Sequence, residues 1–407
     1  MSEGWEEVKL VSLCIKIQSG GTPKSDNIEF YQGDMPFVAI HDITSSNKYL
    51  WNTKKHITDK AVKLSSTWKV PKNSILYTIY ATLGEVVINK IDVTTNQAIL
   101  NIIPNKNIDL EFFYYVLKYF KREIYKHISQ TTQKNLNATI VKDFDINIPK
   151  SLQEQQKIAD ILTKVDETIE FTEKIIEKDE RIKKGLMQDL FSKGIDEKEN
   201  LRNEETHEFK PSDLEMIPKE WDVETLSPNF AKITTGNKDT QDRNNDGLYP
   251  FFVRSNTIER INSYSYDGEA ILTSGDGVGV GKIYHYVNCK FDFHQRVYML
   301  YNFKKDISGK YLFYYFRENF YNEIAKDSAK TTVDSVRLHM IADMKIPKPK
   351  LQEQEKIASI LSSIDSKIQK EKQELNKLKS IKEGLMQDLL TGNKQKEVTC
   401  MIKEAVV

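Results

Sequence analysis

Three cysteines in 407 residues, Cys14, Cys289 and Cys400, lie too far apart in sequence to make the close pairs of a zinc site or a disulfide framework. A reduced, cytoplasmic setting is the expectation. No stretch approaches eighteen apolar residues in a row, and residues 1–10 carry three glutamates instead of an apolar leader, so neither membrane insertion nor export is expected. Net charge is also lacking, with 59 basic against 59 acidic residues. Residues 1–150 nevertheless hold 19 basic and 15 acidic groups, residues 151–210 hold 11 and 16, and residues 211–350 hold 19 of each. The acid is concentrated in one segment, which leaves a nucleic-acid-binding surface permitted elsewhere but unproven by charge.

Catalytic signatures are missing as well. Gly275-Asp-Gly-Val-Gly-Val-Gly-Lys282 resembles a phosphate-cradling loop, but a Walker A motif needs glycine where Asp276 stands and Ser or Thr where Ile283 stands. A turn between strands is the simpler reading, with backbone amides able to approach a phosphate. His41 and His294 follow short hydrophobic runs and read as structural histidines rather than bases. No Asn-Pro-Pro-Tyr or Asp-Pro-Pro-Tyr of an amino-methyltransferase is present, so the chain is not expected to methylate.

What is present is a duplication. Leu152-Gln-Glu-Gln-Gln-Lys-Ile-Ala-Asp-Ile-Leu162 returns as Leu351-Gln-Glu-Gln-Glu-Lys-Ile-Ala-Ser-Ile-Leu361, an offset of 199 (351 − 152). Gly185-Leu-Met-Gln-Asp-Leu190 returns as Gly384-Leu-Met-Gln-Asp-Leu389 with the same offset (384 − 185). A one-residue slip would turn a helix face by about 100 degrees, so the equal spacing predicts two matched helices. Ile158 and Leu162, then Ile357 and Leu361, fall on heptad stripes wider than a coiled-coil seam, interrupted by Thr172, Asp179 and Glu371. A helix over this span rises roughly 58 Å, a length suited to a spacer.

Fainter parallels flank the helices. Asp145-Ile-Asn-Ile-Pro149 precedes the first as Asp343-Met-Lys-Ile-Pro347 precedes the second; Gly4-Trp5 and Glu220-Trp221 open the globular parts; Phe113-Tyr-Tyr115 and Phe313-Tyr-Tyr315 are aligned in short helices. Strands are predicted at 75–80, 85–89 and 98–103, and at 270–273, 282–286 and 296–301. The resulting organisation is α+β: a domain of mixed sheet and helix at 1–150, a helix at 151–191, a polar linker at 192–218, a second domain at 219–350, a helix at 351–391 and a tail at 392–407.

Ser19-Gly-Gly-Thr-Pro23 followed by Gly33-Asp-Met-Pro-Phe37, the Asn96-Gln97 pair, and the Ile-Pro then Leu-Gln-Glu-Gln junction at each helix start resemble the specificity subunits of type I restriction-modification enzymes. The resemblance covers essentially the whole chain. In the second domain, Thr235-Gly-Asn-Lys-Asp239 stands for Gly-Gly-Thr-Pro and His294-Gln-Arg296 for Asn96-Gln97, as in a recognition domain of another class.

The resemblance implies two target-recognition domains separated by two long antiparallel helices in a coiled coil. It further implies double-stranded DNA read as an asymmetric bipartite target, two methyltransferase subunits and two restriction motor-nuclease subunits as partners, and no catalysis by this chain. No cofactor is expected on it; S-adenosylmethionine, ATP and magnesium belong to the partners. Thr22, Lys24, Lys134 and Asn135 in the first domain, and Lys238, Arg243, Arg254 and Arg296 in the second, are the candidate DNA contacts, because these residue types suit phosphates and base edges. Ile158, Leu162, Leu186, Met187, Ile357, Leu361, Leu385 and Met386 are expected to be exposed and to serve helix pairing and subunit docking. A scaffold without DNA, or an enzyme with an unrecognised site, remain the alternatives.

Overall fold

The computed structural model describes residues 4–130, 138–326 and 335–391. Two compact units emerge, Met1–Glu173 with Gln373–Val407, and Lys174–Lys372. The α+β class holds in both, and the two long helices, Leu152–Ser192 and Leu351–Thr391, are each 41 residues.

Each domain is closed by a two-stranded ribbon that joins its first strand to its last. Trp5–Lys9 runs antiparallel to Asp145–Pro149, and Asp222–Thr225 runs antiparallel to Lys345–Lys348. Between them the first domain builds a five-stranded sheet in the order Cys14–Ser19, Ile99–Pro104, Ile75–Thr78, Val86–Asn89, Tyr49–Leu50. A second sheet holds Lys55–Ile57, Met35–Val38 and Thr94–Thr95. The second domain follows the same path in one sheet: Lys232–Thr235, Val297–Tyr301, Tyr266–Ser274, Tyr284–Phe293, Tyr249–Phe252, Glu259–Ile261.

The ten-residue strand Tyr284–Phe293 takes the place of the two short strands Val86–Asn89 and Thr94–Thr95. The break in the first domain has a local cause. Buried Asn89 accepts from Ser74 N (2.9 Å) and donates to Pro71 O (2.8 Å) and Ile91 O (2.9 Å), and such side-chain bonds to backbone compete with a continuing ladder. Gly247-Leu-Tyr-Pro-Phe251 matches Gly33-Asp-Met-Pro-Phe37 in place: Phe37 lies parallel to Thr94 and Phe251 parallel to Asp292. Sequence reading had missed this repeat.

The aromatic helices Leu110–Gln130 and Gly309–Lys326 carry the cores. Tyr115 donates to Asp166 Oδ2 (2.9 Å) and Tyr314 to Asp365 Oδ2 (2.9 Å). The equivalent tyrosines are therefore 199 residues apart (314 − 115), and the alignment of Phe113-Tyr-Tyr115 with Phe313-Tyr-Tyr315 is corrected by one position. Sequence similarity favoured the slipped match because both runs read Phe-Tyr-Tyr.

The Leu-Gln-Glu-Gln blocks fasten each long helix to its domain. Gln155 is buried; it accepts from Asp109 N (2.8 Å) and donates to Pro149 O (2.9 Å). Gln354, also buried, accepts from Ser308 N (3.0 Å) and donates to Pro349 O (2.8 Å) and Asp306 O (3.1 Å). Each neighbouring glutamate receives the indole N–H of the tryptophan at the domain's start, Trp5 to Glu154 at 3.2 Å and Trp221 to Glu353 at 3.2 Å.

Within the first unit the two helix segments are antiparallel, with ion pairs Asp166–Lys382 and Glu173–Lys379. Within the second unit Asp365–Lys183, Glu180–Lys372 and Asp179–Lys367 join them in the same sense. Asp179, which interrupts the apolar stripe, is thus a mostly buried carboxylate held by a lysine of the facing helix.

The expectation that the duplicated apolar residues are exposed is corrected. Ile158 and Leu162 are buried in the first core with Phe112 and Ile146, and Leu385 and Met386 are partly buried against it. Met187, Ile357 and Leu361 are buried in the second core, with Leu186 partly buried. The stripe exceeds a seam because each domain covers its remaining edge.

The segment read as a linker also carries structure. Phe209–Ser212 pairs antiparallel with Glu215–Pro218, and buried Arg202 donates to both Glu353 oxygens, to Oε1 at 2.5 Å and to Oε2 at 3.1 Å. A polar segment shows no apolar period when its anchor is an ion pair. No helix among the described residues is long and apolar enough to cross a membrane. Cys14 and Cys289 are free, and burial pushes the Cys14 thiol up to about 12.

Gln354→Ala is expected to destabilise the full chain by about 2–4 kcal/mol, since it orphans buried backbone groups, whereas exposed Gln352→Ala leaves stability within about 0.5 kcal/mol. Equilibrium denaturant unfolding measures both; equal midpoints would remove the junction role.

Candidate nucleic-acid interface

A glycine at the end of each domain's edge strand lets the chain cross its neighbour's backbone. A Cβ on Gly20 would lie 2.2 Å from Thr95 O, and one on Gly236 would lie 2.0 Å from Phe293 O. Only hydrogen fits in either gap. In the first domain Gly20 N donates to Ile99 O (3.0 Å) and Gly21 N to Thr95 O (2.9 Å). Beyond the crossing, Thr22 and Lys24 are exposed.

The two crossings share a cross-loop bond. Thr22 donates to Gln97 Oε1, and Gln295 Nε2 donates to Asp239 Oδ2 at 2.7 Å. Lys238 sits in a parallel bridge with His294, and its carbonyl accepts from Gln295 N at 2.8 Å. Gln97 and Gln295 occupy matching places, so the shared glutamine in Asn96-Gln97 and His294-Gln295-Arg296 was a sequence signal that the candidate set left unused.

A hairpin loop forms the second wall. Between Ile75–Thr78 and Val86–Asn89 the first domain exposes Tyr80 beside Ala81, whose φ is 58°, and an open groove there is lined by Ser19, Ile79, Tyr80, Gln97, Ala98 and Ala138. In the second domain the glycine-rich segment turns through Gly277 (φ 75°) and Gly281 (φ 65°), which leaves Val278 95% exposed. The strand-connecting turn expected for this segment is what forms.

At the base of that turn, Asp276 accepts from Arg254 Nη1 at 2.7 Å and from Arg296 Nη1 at 2.5 Å. Partial burial pushes the Asp276 carboxyl up, but the bonds from Arg296 and Arg254 together outweigh it and hold the group below the usual carboxylate range. The carboxylate orients two exposed guanidinium groups, which keep further N–H donors available for guanine edges or phosphates.

His294 is 2% exposed, and its Nδ1 accepts from Arg296 N at 3.0 Å. Burial, with the charge of Arg254, pushes its imidazole below the ordinary value, which keeps it a neutral structural acceptor. His41 lies exposed on the short helix Ile40–Thr44, beside Lys54.

Of the candidate DNA contacts, the structure brings Arg254 and Arg296 together through Asp276, with Lys238 on the adjoining crossing. Thr22 and Lys24 follow the first crossing. Arg243 is instead paired with Glu259 at 3.5 Å on an edge strand. Lys134 and Asn135 lie outside the described residues. Asp276, Asp239, Gln97, Gln295, Tyr80 and Val278 were not in the candidate set. Among the described residues no group of His, Cys, Asp and Glu could hold a metal ion.

Gly20→Ala and Gly236→Ala are each expected to cost about 1–3 kcal/mol, because the obstructing atom is backbone and cannot swing aside. Thermal unfolding tests this, and an unchanged midpoint for both would remove the close-crossing account.

The family model described as the type I restriction modification DNA specificity domain matches residues 2–181 and 218–380. The MjaVIII specificity subunit of Methanocaldococcus jannaschii is 25% identical over 96% of this chain and 93% of its own length. The MjaIX specificity subunit of the same organism is 34% identical over 58% of this chain, and the match spans 54% of that relative. In fold, the chain resembles the crystal structure of a type I restriction-modification S subunit from M. genitalium, with a TM-score of 0.62, 18% identity, and coverage of 95% and 96% of the two chains. Matched across both domains by one family model, the chain belongs to the type I restriction-modification DNA specificity family.

Proposed function

We propose that this chain is the non-catalytic reader of a type I restriction-modification complex, in which each domain recognises one half of an asymmetric bipartite DNA target and the long helices set the unread spacer. One observation carries the reading: the same glycine-backed crossing presents different side chains in the two domains. Thr22, Lys24 and Gln97 stand on one, and Lys238, Gln295, Arg254 and Arg296 on or beside the other. A shared frame with unlike side chains suits two unlike half-sites. Phosphate contacts would set register, and base-edge contacts would specify sequence.

The complex would work in the cytoplasm with two methyltransferase subunits and, for restriction, two motor-nuclease subunits. S-adenosylmethionine, ATP and magnesium would be bound by those partners. Buried Ile158, Leu162, Met187, Ile357 and Leu361 hold domain to helix, so docking is better assigned to the exposed faces of the same duplicated blocks. Gly185 and Gly384 are exposed within helices, and a Cβ on either would meet nothing within 4 Å. A mid-helix glycine costs about 1 kcal/mol relative to alanine, and nothing among the described residues requires it. Close approach of a partner supplies the missing reason, twice.

Methylome mapping of cells carrying this chain and its methyltransferase is expected to give a two-part asymmetric motif; a continuous palindrome contradicts the reading. Arg254→Ala or Arg296→Ala should relax or weaken one half-site by about 1–3 kcal/mol and leave the sequence read by the other domain unchanged.

Gly185→Ala and Gly384→Ala should each raise the unfolding free energy by roughly 0.5–1 kcal/mol. Gly185→Phe with Gly384→Phe should leave the chain folded but abolish copurification with the methyltransferase; undiminished copurification sinks the docking assignment.

A further inference from the structure

The duplication makes a wrong pairing geometrically available. Residues of the first long helix and residues 199 positions later in the second occupy matching places, so two copies of this chain could lay like helices against each other in the same antiparallel register. The interhelix charges distinguish the two arrangements. Asp166 faces Lys382 in the first unit and Asp365 faces Lys183 in the second, the same signs in matching places. One step along, the signs are exchanged. Glu173 pairs with Lys379 at 2.7 Å, and the matching pair is Lys372 with Glu180 at 2.6 Å.

That exchange leaves in-chain pairing attractive at both places and makes like-on-like pairing between copies repulsive. First helix on first helix would set Glu173 against Glu180 twice, and second on second would set Lys372 against Lys379 twice. The fifth pair points the same way. Lys367 lies 2.8 Å from mostly buried Asp179, and the matching positions are the uncharged Thr168 and Leu378. Like pairing would therefore face Asp179 with threonine and Lys367 with leucine, stranding a carboxylate that is largely removed from solvent. Only the Asp166 and Asp365 pairs are indifferent to the choice.

We infer that Glu173, Glu180, Lys372 and Lys379, with Asp179 and Lys367, code the helix seam for the other half of the chain and against the like helix of a second copy. The seam is an interaction surface whose fitting partner is defined by charge sign, since its apolar residues are too alike in the two helices to choose.

Full-length chains bearing two different tags, coexpressed and purified at low salt, test this. In Glu173→Lys with Lys372→Glu, both in-chain pairs become like-charged and both copy-to-copy pairs become opposite. This variant is expected to give at least ten times the wild-type fraction of mixed-tag species, at twice the single-chain mass by light scattering. Adding Glu180→Lys and Lys379→Glu restores opposite in-chain pairs and should return the protein to single copies. A mixed fraction equal to wild type in the double variant, or equal in the double and quadruple variants, overturns the proposal. Should the double variant not accumulate as folded protein, Glu173→Lys with Lys379→Glu keeps the in-chain pairs opposite while making the copy-to-copy pairs attractive. No rise in its mixed fraction over wild type then overturns the proposal.

Discussion

A buried glutamine in the first turn of each long helix is the contact on which the rest of each unit depends. Gln155 and Gln354 each tie three things with one side chain: the end of the strand leaving the domain, the start of the aromatic helix and the start of the long helix. A buried amide with both ends satisfied stabilises; with either end orphaned it costs a desolvated polar group. The helix direction is consequently set at its origin, and the tyrosine to aspartate bonds farther along, Tyr115 to Asp166 and Tyr314 to Asp365, hold the same face toward the domain.

The two aspartates do a second thing. Asp166 and Asp365 each accept from a tyrosine of their domain and pair with a lysine of the facing helix. Domain packing and helix pairing are thereby coupled in one side chain. Burial pushes Lys183 and Lys382 down, against the pull of those carboxylates, which marks both lysines as groups taken partly out of solvent. The loops around Asp276 need no such investment. Arg254 and Arg296 remain exposed and are merely steered by Asp276, which leaves further N–H donors open.

Legibility in the sequence followed the kind of constraint. The long helices were readable because period and duplication are local in chain order, and Pro149 and Pro347 bar an earlier start. The core strands were readable at their centres, but 266–274 and 284–293 extend beyond the apolar runs because pairing partners, rather than composition, lengthen a strand. Exposure of Ile158 or Leu361 was misread because a helical stripe reports that something covers it, never what. Asp276 was passed over since a lone acid in a glycine-rich turn looks like solvated loop until two arginines from loops 22 and 20 residues away arrive.

The sequence by itself determined the two-fold repeat, its 199-residue period, the helix faces and the family, because each is written in residue spacing along one chain. Only the tertiary structure decided that Arg254 and Arg296 meet at Asp276, that the duplicated apolar blocks are core, and that Glu173 and Glu180 find lysines rather than each other. Those outcomes depend on which distant segments meet, and the energy of a charge or an apolar face is settled by its neighbour in space, not by its neighbour in sequence.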